Sequence, residues 1–441
     1  MKYPIFYNAF ILVFTLTLLN GMAFAGQTMT LEQCLETGIK NNPSLKAAGL
    51  GVAAAGHDIK AARADFLPAV SSGYSYSMLG SISSKGPTET DYLDQESRTF
   101  NIKMTQILYA GSRVVNAYGK AKILEQAAQA QMDLEKLELI YNIEITFYRV
   151  MKARQDVITV TESVNRLSES IKSAKAFFEK ELVPYVDVLQ ARVDLADAKE
   201  QLGIAKNNLN RERVALFALM DLPLDPDMEF SGGQYNTVTD DPSFESCLQQ
   251  AFENRPDIKS LEYQLDAANK DAGIAMGKYM PMVRLDIGYY DQDRDYDKPG
   301  TSISGDYDRD QRNRYWSTGI YATWDMFDGG RSWYEKEKYN AQASKIKSLI
   351  KEAENMISTG IHKALYSMSE AQQRISTSGE ALIAAKEYYE MEEKRLNAGL
   401  STVPSLLDAQ YRLIRAQGNQ TRAVLDYQLA KSELKLMTAE K

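Results

Sequence analysis

Histidine and cysteine are nearly missing from this 441-residue chain, which has two of each. So few soft ligands leave almost no material for a metal centre, and no metal or other cofactor is expected. His57 and His362 stand far from any catalytic partner in sequence and read as structural. No nucleophile–base constellation is visible, so an enzyme is not expected. A basic excess is missing as well. The formal net charge is -8, whereas nucleic-acid binding needs a net basic face, so no nucleic-acid partner is expected. Past the N-terminal segment, no stretch approaches the 18 or more apolar residues of a membrane helix. If the chain enters a membrane, it does so with strands.

Proline is scarce too, and its distribution maps the chain. None of the twelve lies between Pro87 and Pro184 or between Pro299 and Pro404. Helix interiors exclude proline, because it lacks the N–H and clashes with the preceding turn. Within the second gap, apolar residues recur by threes and fours at Ile346, Ile350, Ala353, Ile357, Ile361, Ala364 and Met368. The first gap shows Leu134, Leu137, Tyr141, Ile145 and Tyr148. The pattern predicts helices over about 112–181 and 331–398, each about 100 Å long at 1.5 Å per residue. Shorter partners follow at about 185–220 and 403–437. Apolar stripes of that length need lateral partners.

What is present in abundance is internal repetition. "CLETGIKNNPSLKAA" from Cys34 matches "CLQQAFENRPDIKSL" from Cys247 at an offset of 213. "QILYAGSR" from Gln106 matches "WDMFDGGR" from Trp324 at 218, as does "LVPYVDVLQAR" from Leu182 with the stretch from Leu400. The extra five residues fall between strands, in segments that read as loops. The expected organisation is a first repeat over 26–221, a linker over 222–242 and a second repeat over 243–441. Before them, residues 1–25 read as a signal peptide, with an apolar run and an A-x-A pattern at Ala23 and Ala25. In the oxidising envelope a Cys34–Cys247 bridge is conceivable, but equivalent repeat positions favour two buried free thiols.

Each repeat holds two segments of period-two alternation, about 68–79 and 98–109, then about 281–291 and 313–326. Val70, Tyr74, Tyr76 and Met78 alternate with serines and glycine, and Val283, Leu285, Ile287 and Tyr289 with Arg284, Asp286 and Gly288. About ten residues suits a membrane-spanning strand. Trp316 and Trp324 are eight apart, so they share a face about 26 Å apart and suit the two aromatic girdles of an outward apolar band. Four strands cannot stand in lipid with open edges, so several copies must close the sheet. Two copies give eight strands with a filled interior, and three give twelve with a lumen. The run "DQDRDYDKPG" from Asp291 resembles a calcium loop, but Tyr296 stands where glycine is needed, and a solvated loop is expected.

Taken together, two repeats of helix, strand, loop, strand, long helix, turn and helix resemble the TolC family of outer-membrane efflux and secretion channels. The marks are "YAGSR"/"FDGGR" and the paired turns at Leu182 and Gly399. The resemblance implies a mainly α protein with β, the outer-membrane efflux protein fold. It implies a homotrimer in outer-membrane lipid with a twelve-stranded barrel and a long α-helical periplasmic barrel. The partners it implies are a periplasmic adaptor (membrane fusion) protein and an inner-membrane RND or ABC transporter. Adaptor contact would fall on Leu182, Val183 and Pro184 and on Gly399, Leu400 and Ser401. The family pattern places two acids at the periplasmic gate; here Asp408 matches one, while Ser405 replaces the other. Leu396 and Ser401 stand where the family has a tyrosine and an arginine that lock the entrance, and Asp187 matches an acid whose partner is gone. The resulting expectation is an entrance held by apolar contact more than by polar locks. An exported coiled-coil scaffold or adhesin with a soluble sheet is the alternative.

Overall fold

The computed structural model describes residues 28–86, 89–182, 184–224, 228–232, 242–297, 310–398 and 400–440. The expected signal peptide, much of the expected linker, Val183 and Gly399 lie outside them. Two compact units emerge. One holds the described residues of Met1–Ala47, Asp133–Arg255 and Asn355–Lys441; the other holds Ala48–Met132 and Pro256–Glu354.

The second unit contains one antiparallel sheet of β2 (Ala69–Gly86), β3 (Glu89–Ala110), β5 (Met282–Asp297) and β6 (Asp310–Thr323), in that order. The two-residue strands β1 (Thr28–Met29) and β4 (Glu229–Phe230) belong to the first unit. The register puts Val70 opposite Met104, Met104 opposite Ile287 and Leu285 opposite Ile320, all on one face. That face is apolar and open: Val70, Tyr74, Met78 and Ile320 are each more than two-thirds exposed. The opposite face is polar. The strands run further than apolar alternation predicts. Residues 80–86 and 89–97, expected as loop, continue the β2–β3 hairpin, which pairs down to Gly86 opposite Glu89. Ladder hydrogen bonds need backbone groups, not an apolar face, so a polar hairpin can outrun its hydrophobic pattern. β6 instead stops at Thr323, so Trp324 lies one residue past the strand, where its indole N–H donates to the Tyr279 carbonyl at 2.8 Å.

Each hairpin feeds a 67-residue helix, α3 (Arg113–Glu179) or α7 (Arg331–Asn397). The junction motifs have a backbone reason. Gly111 and Ser112 both sit at positive φ (61° and 64°), as do Gly329 and Gly330 (73° and 82°). Two successive left-handed residues turn the strand into the helix, which glycine tolerates and serine accepts at some strain. In the second copy Asp328 finishes the turn, accepting from the amides of Gly330 (3.0 Å) and Ser332 (2.9 Å).

In the first unit α1 (Leu31–Asn41) starts from a Thr30/Gln33 capping box. It packs with α3, α4 (Tyr185–Met220), β1 and β4 around Cys34, Ile143, Phe147, Leu216, Phe217 and Phe230. Gly38 allows the approach, since a Cβ there would lie 2.3 Å from Ile143 Cδ1. Pro43 and Pro256 open new helices, α2 (Pro43–Ala64) and α6 (Pro256–Gly277). The repeats use the preceding residue alike. Asn42 Nδ2 donates to the Leu219 carbonyl at 3.0 Å. Its counterpart Arg255, after α5 (Phe244–Asn254), donates to the Leu436 carbonyl at 3.3 Å, near the end of α8 (Val403–Thr438). Each satisfies a carbonyl at a helix C-terminus. Cys34 and Cys247 are both buried and free.

Candidate functional site: the helix turns and the two-faced sheet

The two helix reversals lie in the first unit. At the α3–α4 turn Glu181 adopts positive φ (56°), and the Leu182 amide donates to Phe177 O at 2.9 Å. Pro184 is the N-cap of α4 and packs no side-chain hydrogen bond there. Leu182 and Val186 are exposed, and Phe178 meets Tyr185 with ring centroids 5.3 Å apart. Asp187 is exposed in the first turn of α4, where an acid suits the positive helix end.

The α7–α8 turn is more heavily bonded. The Leu400 amide donates to Arg395 O at 2.8 Å, while the Leu400 side chain is 72% exposed. Thr402 caps α8 by accepting from the Ser405 amide, and the Thr402 and Ser405 hydroxyls meet at 3.0 Å. Ser401 Oγ donates to Glu392 Oε2 at 2.6 Å. Arg395 donates to the other oxygen of Glu392 at 2.6 Å. Glu392 is 4% exposed, so a charged residue is sunk beneath this turn. Leu396 is half-buried beside it.

One turn into α8, Asp408 accepts from Arg412 Nε at 2.7 Å and pairs more loosely with Arg166 of α3 at 3.9 Å. Arg166 also lies over the Tyr411 ring, 4.7 Å from its centroid. Within the chain, Glu392, Arg395, Arg412 and Arg166 thus surround the second turn and the start of α8 with polar contacts. Glu392 with Arg395 and Asp408 with Arg412 are i,i+3 and i,i+4 helix pairs that the sequence does display. Arg166, 242 positions before Asp408, carries no such signal.

The sheet supplies the other functional surface. Tyr289 and Trp316 sit together on the apolar face with ring centroids 5.1 Å apart. Beyond the end of β6, Trp324, Met326 and Phe327 are each more than half exposed. Among the described residues no helix is long and apolar enough to cross a membrane. They gather no three His, Cys, Asp or Glu side chains that could hold a metal ion.

A family model described as outer membrane efflux protein matches residues 35–221 and 247–440, one stretch per repeat. The chain is 23% identical to the probable efflux pump outer membrane protein TtgC of Pseudomonas putida over 414 residues, covering 88% of this chain and 78% of the relative. It is 21% identical to the outer membrane protein TolC of Vibrio cholerae over 416 residues, covering 90% and 87%. Among solved structures, the CmeC outer membrane channel of Campylobacter jejuni superposes with a TM-score of 0.75 at 18% identity, covering 92% of this chain and 85% of that one. The open-state MtrE outer membrane channel of Neisseria gonorrhoeae gives 0.69 at 18%, covering 92% and 88%. With the match spanning both repeats, the chain belongs to the outer membrane efflux protein family, as a protein of the outer membrane with a large periplasmic portion that passes its cargo without chemistry.

Proposed function

We propose that three copies of this chain form the exit duct of a tripartite efflux pump or type I secretion system. The observation that carries this reading is the four-stranded sheet with an apolar, exposed face and edge strands β2 and β6. In lipid an unpaired strand edge leaves N–H and C=O groups without partners, so the edges must meet those of other copies. Three copies give twelve strands and a lumen, whereas two would be filled by side chains. Trp316 and Trp324 then mark the aromatic girdles. The helix turns form the periplasmic entrance, where Leu182, Pro184, Leu400 and Ser401, with Val183 and Gly399, meet the adaptor. Asp408 is the gate acid, held by Arg412 and Arg166. Energy comes from an RND or ABC transporter, which also selects most of the cargo.

The test is to fractionate cells, purify the chain from outer membrane in mild detergent and measure its mass and conductance. The expected species has three chains, migrates faster before heating than after full denaturation, and conducts in a planar bilayer. A monomer in the soluble fraction would overturn the reading and favour the scaffold.

A further inference from the structure

The polar face of the sheet is unequal in charge. Its described side chains include Lys103, Arg284 and Arg294 against a single acid, Asp286, and the described side chains of β2 and β6 add no charge to it. Among the described side chains, three bases against one acid leave two positive charges per chain, although the whole chain is at -8.

Burial sharpens the asymmetry. Asp286 lies between two cations, its Oδ2 2.9 Å from Lys103 Nζ and 3.3 Å from Arg284 Nε. Its side chain is 10% exposed, while those of Lys103 and Arg284 are 33% and 37% exposed. The acid is sunk into the wall and the cations cover it, so the charge this face presents is positive. Two glycines keep the same region shallow. A Cβ at Gly288 would lie 2.7 Å from the Tyr290 ring, and one at Gly319 would lie 3.0 Å from the Tyr321 ring. Both rings therefore lie along the strand instead of projecting, and Arg284 sits over Tyr321 at 5.7 Å. Flat rings beside guanidinium and ammonium groups suit a planar organic anion.

We propose that this face is an anion-favouring wall of the duct, and that the cargo class it favours is organic anions bearing carboxylate or phosphate groups. The inference rests on the exit-duct reading, because only closure gives this face a lumen; the described side chains of a ring of three copies then present six positive charges. Rings of Lys and Arg favour anions in a pore, and lumen substitutions tune selectivity in β-barrels. Low-dielectric walls focus the field of such charges on what passes.

Reversal potentials in planar bilayers test it, with the purified full chain under a gradient of potassium chloride and then of potassium benzoate. Arg294→Gln and Lys103→Gln should each lower the anion-to-cation permeability ratio severalfold, and Asp286→Asn should raise it. The effect should shrink near 1 M salt, where the Debye length falls to about 3 Å. Arg294 is no part of the Asp286 cluster, so Arg294→Gln decides the matter even if Asp286→Asn does not assemble. Pores that conduct with the wild-type ratio in Arg294→Gln and Lys103→Gln would overturn the anion wall and leave the duct standing. Absence of any pore from the wild-type chain would overturn both.

Discussion

Glu392→Gln should loosen the α7–α8 turn without unfolding the helices around it. The carboxylate is held by Ser401 and Arg395, each at 2.6 Å. The Arg395 side chain is 54% exposed, so that pair is discounted to less than about 1 kcal/mol for solvent screening. The bond from Ser401 reaches a carboxylate only 5% exposed and falls in the range of bonds to charged groups, about 1.5–3 kcal/mol. Glutamine keeps an acceptor oxygen, so the expected net loss is about 1–2 kcal/mol, which multiplies the open population of the turn by roughly 5–30. Hydrogen exchange read on a peptide covering residues 396–410 reports that population, with one covering residues 176–190 as the internal reference. Ser401→Ala should give a similar acceleration, and the double variant less than the product of the two. If exchange in both single variants stays within about twofold of wild type, the Glu392 contacts do not hold the turn and the reasoning fails.

Two further outcomes are expected. Gly277 and Gly111 press together, a Cβ on Gly277 falling 2.4 Å from the Gly111 carbonyl oxygen. Gly277→Ala should therefore cost about 1–3 kcal/mol through forced separation of backbone. That outweighs a helix-propensity gain of at most about 1 kcal/mol at the last residue of α6, and the temperature at which the chain unfolds in detergent should fall. Burial first, then the neighbouring Glu32, push the Cys34 thiol from 9.0 up to about 12. A neutral thiol is thus favoured by folding. Its contribution is fully present below pH 9 and is lost as pH rises toward 12, so native Cys34 should resist maleimide at pH 8 and react once the chain is denatured. Rapid labelling of the native protein would refute this burial.

Much of the architecture could be read from where proline does not occur and from the two repeats. Pro184 and Pro404 mark the reversals, and the chain does turn at both. The polar ends of the hairpins were not legible, because strand pairing there rests on backbone groups and leaves no alternation of hydrophobicity. The expected end of the last strand at 326 overruns for a related reason: the alternation runs on, but the chain leaves the ladder after Thr323, one residue before Trp324, to begin the turn. At the α7–α8 turn, sequence reveals which acids are present but not which are buried. Glu392 looks like any solvated helix glutamate until the turn folds over it, and Arg166 meets Asp408 only through tertiary packing. The same holds for the sheet, where Asp286 reads as one charge among several and only the structure shows it buried beneath Lys103 and Arg284.

The proposed ring of three gives the two edges β2 and β6 a genetic consequence. In a closed ring of three, every copy must offer one sound edge on each side, so a single chain with a damaged edge strand spoils the ring it joins. Where damaged and intact chains are made in equal amounts and mix freely, only about one ring in eight contains intact chains alone. A lesion in β2 or β6 would therefore behave as a dominant negative, whereas one that prevents export of the chain would be recessive.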